Sequence, residues 1–139
     1  MSNDQYQVNG GSPVGPGFVV FEREKGVHGY SLEMAKESVG KGWHPLLERI
    51  FLALKPDVVY ERKPKGYVIQ VKEKFGTLRV YLGGVEMAWV DSYVDGLCDA
   101  SSVICEDCGN PGRIRSLNEG RTWVRTLCDS CHQTAPGRR

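Results

Sequence analysis

Cys105-Glu-Asp-Cys108-Gly109 and Cys128-Asp-Ser-Cys131 decide how the C-terminal part of this chain folds. Each pair has two residues between its cysteines, and nineteen residues separate the pairs. Four thiolates at that spacing converge on one tetrahedral ion, and zinc prefers four sulfurs in that shape. Gly109 follows the first pair, where a zinc knuckle turns tightly and amides approach the sulfurs. Two disulfides, or four unrelated buried thiols, are the competing readings. The N-terminus, Met1-Ser-Asn-Asp-Gln-Tyr6, lacks the basic-then-apolar order of a signal peptide. No apolar run approaches membrane-spanning length. We therefore expect a cytoplasmic protein with reduced thiols. Cys105, Cys108, Cys128 and Cys131 would hold a structural Zn2+. Cys98, the fifth cysteine, reads as a small buried hydrophobe.

Between the pairs, 112–117 and 121–127 flank Asn118-Glu-Gly120, which predicts a hairpin with a glycine turn. The second pair opens a short helix that Pro136 cuts off. Knuckle, hairpin and helix-borne second pair make a treble-clef or zinc-ribbon module over residues 103–135. His132 follows the fourth thiol and reads as an outer neighbour of the site rather than a ligand.

Outward from the module, 139 residues suit a small α+β domain plus a metal-stapled unit. Residues 1–17, rich in Gly, Asn, Ser and Pro, read as a flexible arm. An α+β domain is expected over 18–102. Phe18-Val-Val-Phe21 reads as a short strand. Ser31 can cap a helix over Leu32–Ser38, with Gly40 and Gly42 stopping it. His44-Pro45 opens a second helix, whose apolar face is Leu46, Leu47, Ile50, Phe51 and Leu54. Lys55-Pro56 ends it.

Three strand-like runs follow: Val58–Glu61, Tyr67–Lys72 and Thr77–Leu82. They predict an antiparallel β-meander packed with helices, the long helix on its apolar side. Tyr67, Ile69 and Val71 would share the inner face with Leu78, Val80 and Leu82. Gly83-Gly84 breaks the sheet. A helix from Glu86 to about Ser102 has the apolar stripe Met87, Val90, Val94 and Leu97, with Asp91, Asp95 and Asp99 on another face.

The formal charge of +1 hides an uneven layout. Seven basic and three acidic residues lie in 55–79, whereas 80–112 holds six acidic residues and no basic one. From 113 to the end there are six basic and two acidic residues. Four thiolates and one zinc add about two negative charges. Bulk attraction to nucleic acid is not expected, so any anion binding must be local.

Two basic-aromatic sets could supply it. Gln70, Lys72, Arg79 and Tyr81 would occupy the outer sheet face, offering cations, an amide and a ring to a nucleotide or nucleic acid. Arg113, Arg115, Arg121 and Arg125 surround Trp123 on the predicted zinc hairpin. An ordinary solvated face is the alternative for each. Gly42-Trp43-His44 at a helix start is a third anion candidate, with Trp43 as core its alternative.

Leu127-Cys-Asp-Ser-Cys-His132 resembles the zinc half of HNH-type nucleases. Their catalysis needs a histidine on the hairpin to activate water, plus a second metal-binding histidine, and the hairpin at 109–127 contains no histidine. A closed four-sulfur site also has no open position for hydroxide. P-loop, Gly-x-Ser-x-Gly and His-Glu-x-x-His patterns are absent. We expect no enzyme activity.

Three blocks together resemble a family of small uncharacterised phage and prophage proteins. They are Gly42-Trp-His-Pro-Leu-Leu-Glu-Arg-Ile-Phe51, Gln70-Val-Lys-Glu-Lys-Phe-Gly-Thr-Leu-Arg79, and the two Cys-x-x-Cys endings. The resemblance covers roughly residues 40–132. It implies a phage accessory role, such as host takeover or counter-defence, in the host cytoplasm. The expectation is a zinc protein binding an anionic target, nucleic acid or a nucleotide signal of host defence. The alternatives are a protein that masks a host factor and a degenerate HNH-like nuclease.

Overall fold

The computed structural model describes residues 29–56 and 64–135. The arm at 1–17, the run Phe18–Phe21 and the run Val58–Glu61 lie outside the described residues.

Helix α1 spans Leu32–Ser38. Ser31 is extended, and its Oγ accepts the Met34 amide at 3.1 Å, satisfying one of the helix's open donors. A 3-10 turn over Lys41–Trp43 leads into helix α2, His44–Leu54, which carries Pro45 in its first turn. Leu46, Leu47, Ile50 and Leu54 are buried at helical spacing, with Phe51 partly buried beside them.

Strands β1 (Tyr67–Lys74) and β2 (Thr77–Gly83) form an antiparallel hairpin. Helix α3 follows over Ala88–Ala100, burying Val90 and Val94, and a 3-10 turn over Ser101–Val103 continues it. The C-terminal part contains β3 (Arg113–Ser116), β4 (Val124–Leu127) and helix α4 (Asp129–Thr134). Helices with two small antiparallel sheets make this an α+β protein.

Among the described residues the first sheet pairs β1 with β2, and the remaining run of the expected meander, Val58–Glu61, lies outside them. Two expectations about this sheet need correction. Its helical neighbours are α1 on β1 and α3 on β2, while α2 packs against both helices. The inner face of β1 also differs. Val68 opposes Leu82 and Gln70 opposes Tyr81, so Ile69 is an extra residue in β1. That irregularity breaks the two-residue alternation. Val68 and Val71 are buried, and Ile69 turns outward at 47% exposure. In β2, Leu78 is buried with Val80 and Leu82 packed beside it, as the alternation predicts.

Among the described residues, the buried side chains form two clusters. One joins α1, α2, the β1–β2 hairpin and α3 around Trp43, Leu47, Ile50, Leu78 and Val90. The other is small: Cys105, Leu117 and Leu127. Hydrogen bonds join the two parts. Trp43 Nε1 donates to the Ile104 carbonyl at 2.8 Å, and Thr126 Oγ1 donates to the Gly76 carbonyl at 2.6 Å. Each bond satisfies a polar atom that packing would otherwise strand.

Candidate metal centre and basic faces

The sulfurs of Cys105, Cys108, Cys128 and Cys131 all lie within 4.8 Å of one another and could hold a metal ion. A tetrahedral ion with metal–sulfur bonds of about 2.3 Å places its sulfurs about 3.8 Å apart. Cys108 Sγ and Cys128 Sγ are 3.7 Å apart, which matches that edge and is far too long for a disulfide. All five cysteines are free thiols, and Cys98 stands outside the cluster. Burial pushes the Cys98 thiol up to about 11.

Local backbone builds the site. After Cys108 the chain turns through Gly109 at φ 85, and the Gly109 amide donates to the Cys105 carbonyl at 2.8 Å. Only glycine enters that region without cost. Cys128 is the N-cap of α4, and its Sγ accepts the Cys131 amide at 3.4 Å. Burial raises the Cys105 thiol, but backbone hydrogen bonds from Cys128, Cys108 and Asp107 outweigh it and bring it to about 7. Amides aimed at the Cys105 sulfur favour its thiolate, the form that binds metal, whereas burial and the neighbouring sulfurs raise the Cys131 thiol.

The segment Gly40–Trp43 lies against the knuckle. Its Gly42 amide donates to the Glu106 carbonyl at 2.8 Å. A Cβ on Gly40 would stand 2.1 Å from that carbonyl oxygen, and one on Gly42 would stand 2.0 Å from the Cys105 carbonyl oxygen. These glycines do follow α1, but close approach to the knuckle is what excludes a side chain. Trp43 is fully buried core. His44 Nε2 lies 2.8 Å from the Lys36 carbonyl.

The second hairpin departs from its expected turn. Gly120 is not the left-handed residue; Arg121 is, at φ 57. Asn118 organises the loop instead. Its Oδ1 accepts the Thr122 and Trp123 amides at 3.1 and 3.2 Å, and its Nδ2 donates to Thr122 Oγ1. An asparagine side chain imitates a backbone turn in this way.

The arginines of this hairpin divide into two kinds. Arg115 and Arg125 oppose each other across β3 and β4. Arg115 pairs with Asp129 at 2.5 Å, and its Nη1 lies 3.1 Å from His132 Nδ1. Arg125 pairs with Glu106 at 3.3 Å and Asp107 at 2.5 Å. Burial raises the Glu106 carboxyl above its usual range, against the pull of the Thr126 amide and Arg125. Arg113, Arg121 and Trp123 are exposed, but Arg121 sits in the turn and Trp123 precedes β4, so strand alternation does not align them. The sequence contained the missing partners, Glu106 and Asp107, inside the first cysteine pair. Nothing in their spacing pointed to Arg125.

On the β1–β2 hairpin, Gln70 opposes Tyr81 and Lys72 opposes Arg79. These four make two cross-strand pairs on one open face. Lys72 Nζ lies 5.7 Å from the Tyr81 ring centroid. Arg79 Nε donates to Thr77 Oγ1 at 3.2 Å. Neither cation has a carboxylate within ion-pair distance among the described residues. No helix among those residues is long and apolar enough to cross a membrane. No protein-family model, no curated protein and no solved structure matches this chain.

Proposed function

We propose that this is a non-catalytic binding protein. A structural zinc on Cys105, Cys108, Cys128 and Cys131 holds its C-terminal module in a treble-clef or zinc-ribbon arrangement. The open face of the β1–β2 hairpin takes an anionic target. Zinc fits four thiolates better than harder divalent ions do, and four sulfurs close the site to substrate.

One contrast carries the anion reading. Like charges directly opposite in a sheet destabilise it. Arg115 and Arg125 are such a pair, and Asp129, Glu106 and Asp107 neutralise them. Lys72 and Arg79 are another such pair, and no carboxylate neutralises them among the described residues. An external anion would relieve that repulsion. Arg115 and Arg125 leave the proposed binding set, because their guanidinium groups are already paired within the fold. Gln70, Lys72, Arg79 and Tyr81 form its centre.

The test is equilibrium binding of phosphate-bearing probes, from mononucleotides to oligonucleotides, at several salt concentrations. Lys72→Gln/Arg79→Gln should weaken binding at least tenfold, about 1.4 kcal/mol, with zinc content unchanged. Equal binding by wild type and the double variant rejects this reading.

A second reading, masking of a host protein, draws on α3. Trp89 and Tyr93 are both substantially exposed, with ring centroids 6.4 Å apart and Asp91 and Asp95 exposed on the same helix. Exposed aromatic pairs are frequent anchors of protein interfaces. Loss of a co-purifying partner in Trp89→Ser/Tyr93→Ser, with anion binding intact, would favour it.

A further inference from the structure

The open face of the β1–β2 hairpin is longer than the four residues that define its centre. Its successive rungs are Gln70 opposite Tyr81, Lys72 opposite Arg79, and Lys74 opposite Thr77. Past the last rung lies the turn Phe75-Gly76. An aromatic ring therefore marks each end, Tyr81 at 41% exposure and Phe75 at 65%, with three cations between. Same-face rungs repeat about every 6.8 Å, so the first and third stand about 14 Å apart and Phe75 lies further on. Each ring already attracts a cation. Lys72 Nζ is 5.7 Å from the Tyr81 centroid, and Lys74 Nζ is 5.8 Å from the Phe75 centroid.

Phe75 is an odd choice for folding alone. Its φ is 55 and that of Gly76 is 82. A two-residue turn with both φ values positive favours Asn-Gly or Asp-Gly, and a bulky residue there is an outlier. The surroundings enforce it. Glu73 Oε2 accepts the Gly76 amide at 2.6 Å, Thr77 Oγ1 donates to the Lys74 carbonyl at 2.9 Å, and Thr126 Oγ1 clamps the Gly76 carbonyl. An exposed aromatic held in an unfavourable conformation by three hydrogen bonds points to use by a ligand.

A single nucleotide needs one ring and is ordinarily enclosed in a concave pocket. This face is open and carries two separated rings. Single-stranded nucleic acid uses such surfaces: any base stacks on an aromatic ring, and phosphates follow the cations. The near-zero net charge argues against long duplex. Building on the anion-binding reading above, we propose that Tyr81 to Phe75 is a short platform for single-stranded nucleic acid. One base stacks on Tyr81 and another on Phe75. Phosphates between them meet Lys72, Arg79 and Lys74. In the free protein the two ammonium groups lie over the rings; on binding, bases take the ring faces and the ammonium groups turn to phosphate.

The experiment uses full-length, zinc-loaded protein and fluorescein-labelled oligo-dT and oligo-U of about eight nucleotides, a length typical of single-strand sites. ATP and dTMP serve as competitors. The strands should bind at least tenfold tighter than either mononucleotide. Three phosphate contacts predict a log–log salt slope of about −2. Phe75→Asn suits the turn, so it should keep or raise the melting temperature while weakening oligonucleotide binding at least tenfold. Tyr81→Leu should weaken binding similarly. Wild-type binding by both variants overturns the platform. If a mononucleotide binds as tightly as the strand and Lys72→Gln/Arg79→Gln abolishes it, the platform fails while the anion-binding reading stands. If no probe binds, both fail.

Discussion

Gly42 lies against the Cys105 carbonyl so closely that a Cβ would come within 2.0 Å of its oxygen and 2.6 Å of the Gly109 amide. The first knuckle and the start of α2 are thus one packed unit, and neither backbone can retreat without breaking the Gly42–Glu106 hydrogen bond. Gly42→Ala should cost at least about 2 kcal/mol, at the severe end for overpacking. Thermal unfolding of the zinc-loaded protein measures it. A melting point within a degree of wild type would show that the contact is loose.

Metal removal should reach further than the cysteine module. Direct elemental analysis should find one zinc per chain. Cys108→Ser should lose it, and Cys98→Ser should keep it. Because Trp43 Nε1 is bonded to the Ile104 carbonyl, chelation should also loosen Trp43. In a Trp89→Phe/Trp123→Phe background, its emission should shift to the red. An unchanged spectrum after complete zinc removal would mean that the larger cluster holds Trp43 unaided.

The arginines should differ in what they cost the fold. Arg125→Ala leaves the buried Glu106 carboxylate without its cation and should destabilise by about 2–3 kcal/mol. Arg113→Ala and Lys72→Gln, both on exposed or open faces, should stay within about 0.5 kcal/mol. Chemical denaturation of the three variants checks the order. Equal losses would contradict the division into neutralised and open cations.

Cys98 gives a pH signature. Burial raises its thiol from about 9 to about 11 in the folded chain. Between those values the folded state keeps a proton that the unfolded state has released. Its contribution is therefore complete below about pH 9 and lost as pH rises towards 11. Its size should be on the order of 1 kcal/mol. Stability measured from pH 8 to 11 should fall less steeply in Cys98→Ala than in wild type, and identical slopes would refute the burial effect.

Gly96 faces open space on α3: a Cβ added there would meet nothing within 4 Å. Gly96→Ala should therefore stabilise the protein by about 0.5–1 kcal/mol, visible as a higher melting temperature. A lower one would show that the helix needs glycine's freedom there.

The sequence by itself determined the elements whose causes are local. Ser31 and Pro45 set helix starts, the Leu46–Leu54 spacing chose the buried face of α2, and two Cys-x-x-Cys pairs with Gly109 specified the thiol cluster. Each of these depends on residues a few positions apart, so a linear reading can see it. Tertiary structure decided the rest. The extra residue at Ile69 reversed part of the inner face of β1, because register is fixed by pairing with β2 and by what the core accepts. Gly40 and Gly42 looked like helix stops, yet the knuckle some sixty residues later explains why they must be bare. Arg115 and Arg125 looked like a binding surface until folding brought Asp129, Glu106 and Asp107 to them, whereas Lys72 and Arg79 received no such partner among the described residues. Charge and residue type are local properties, but whether a charge is neutralised depends on which distant segment the fold places within about 4 Å.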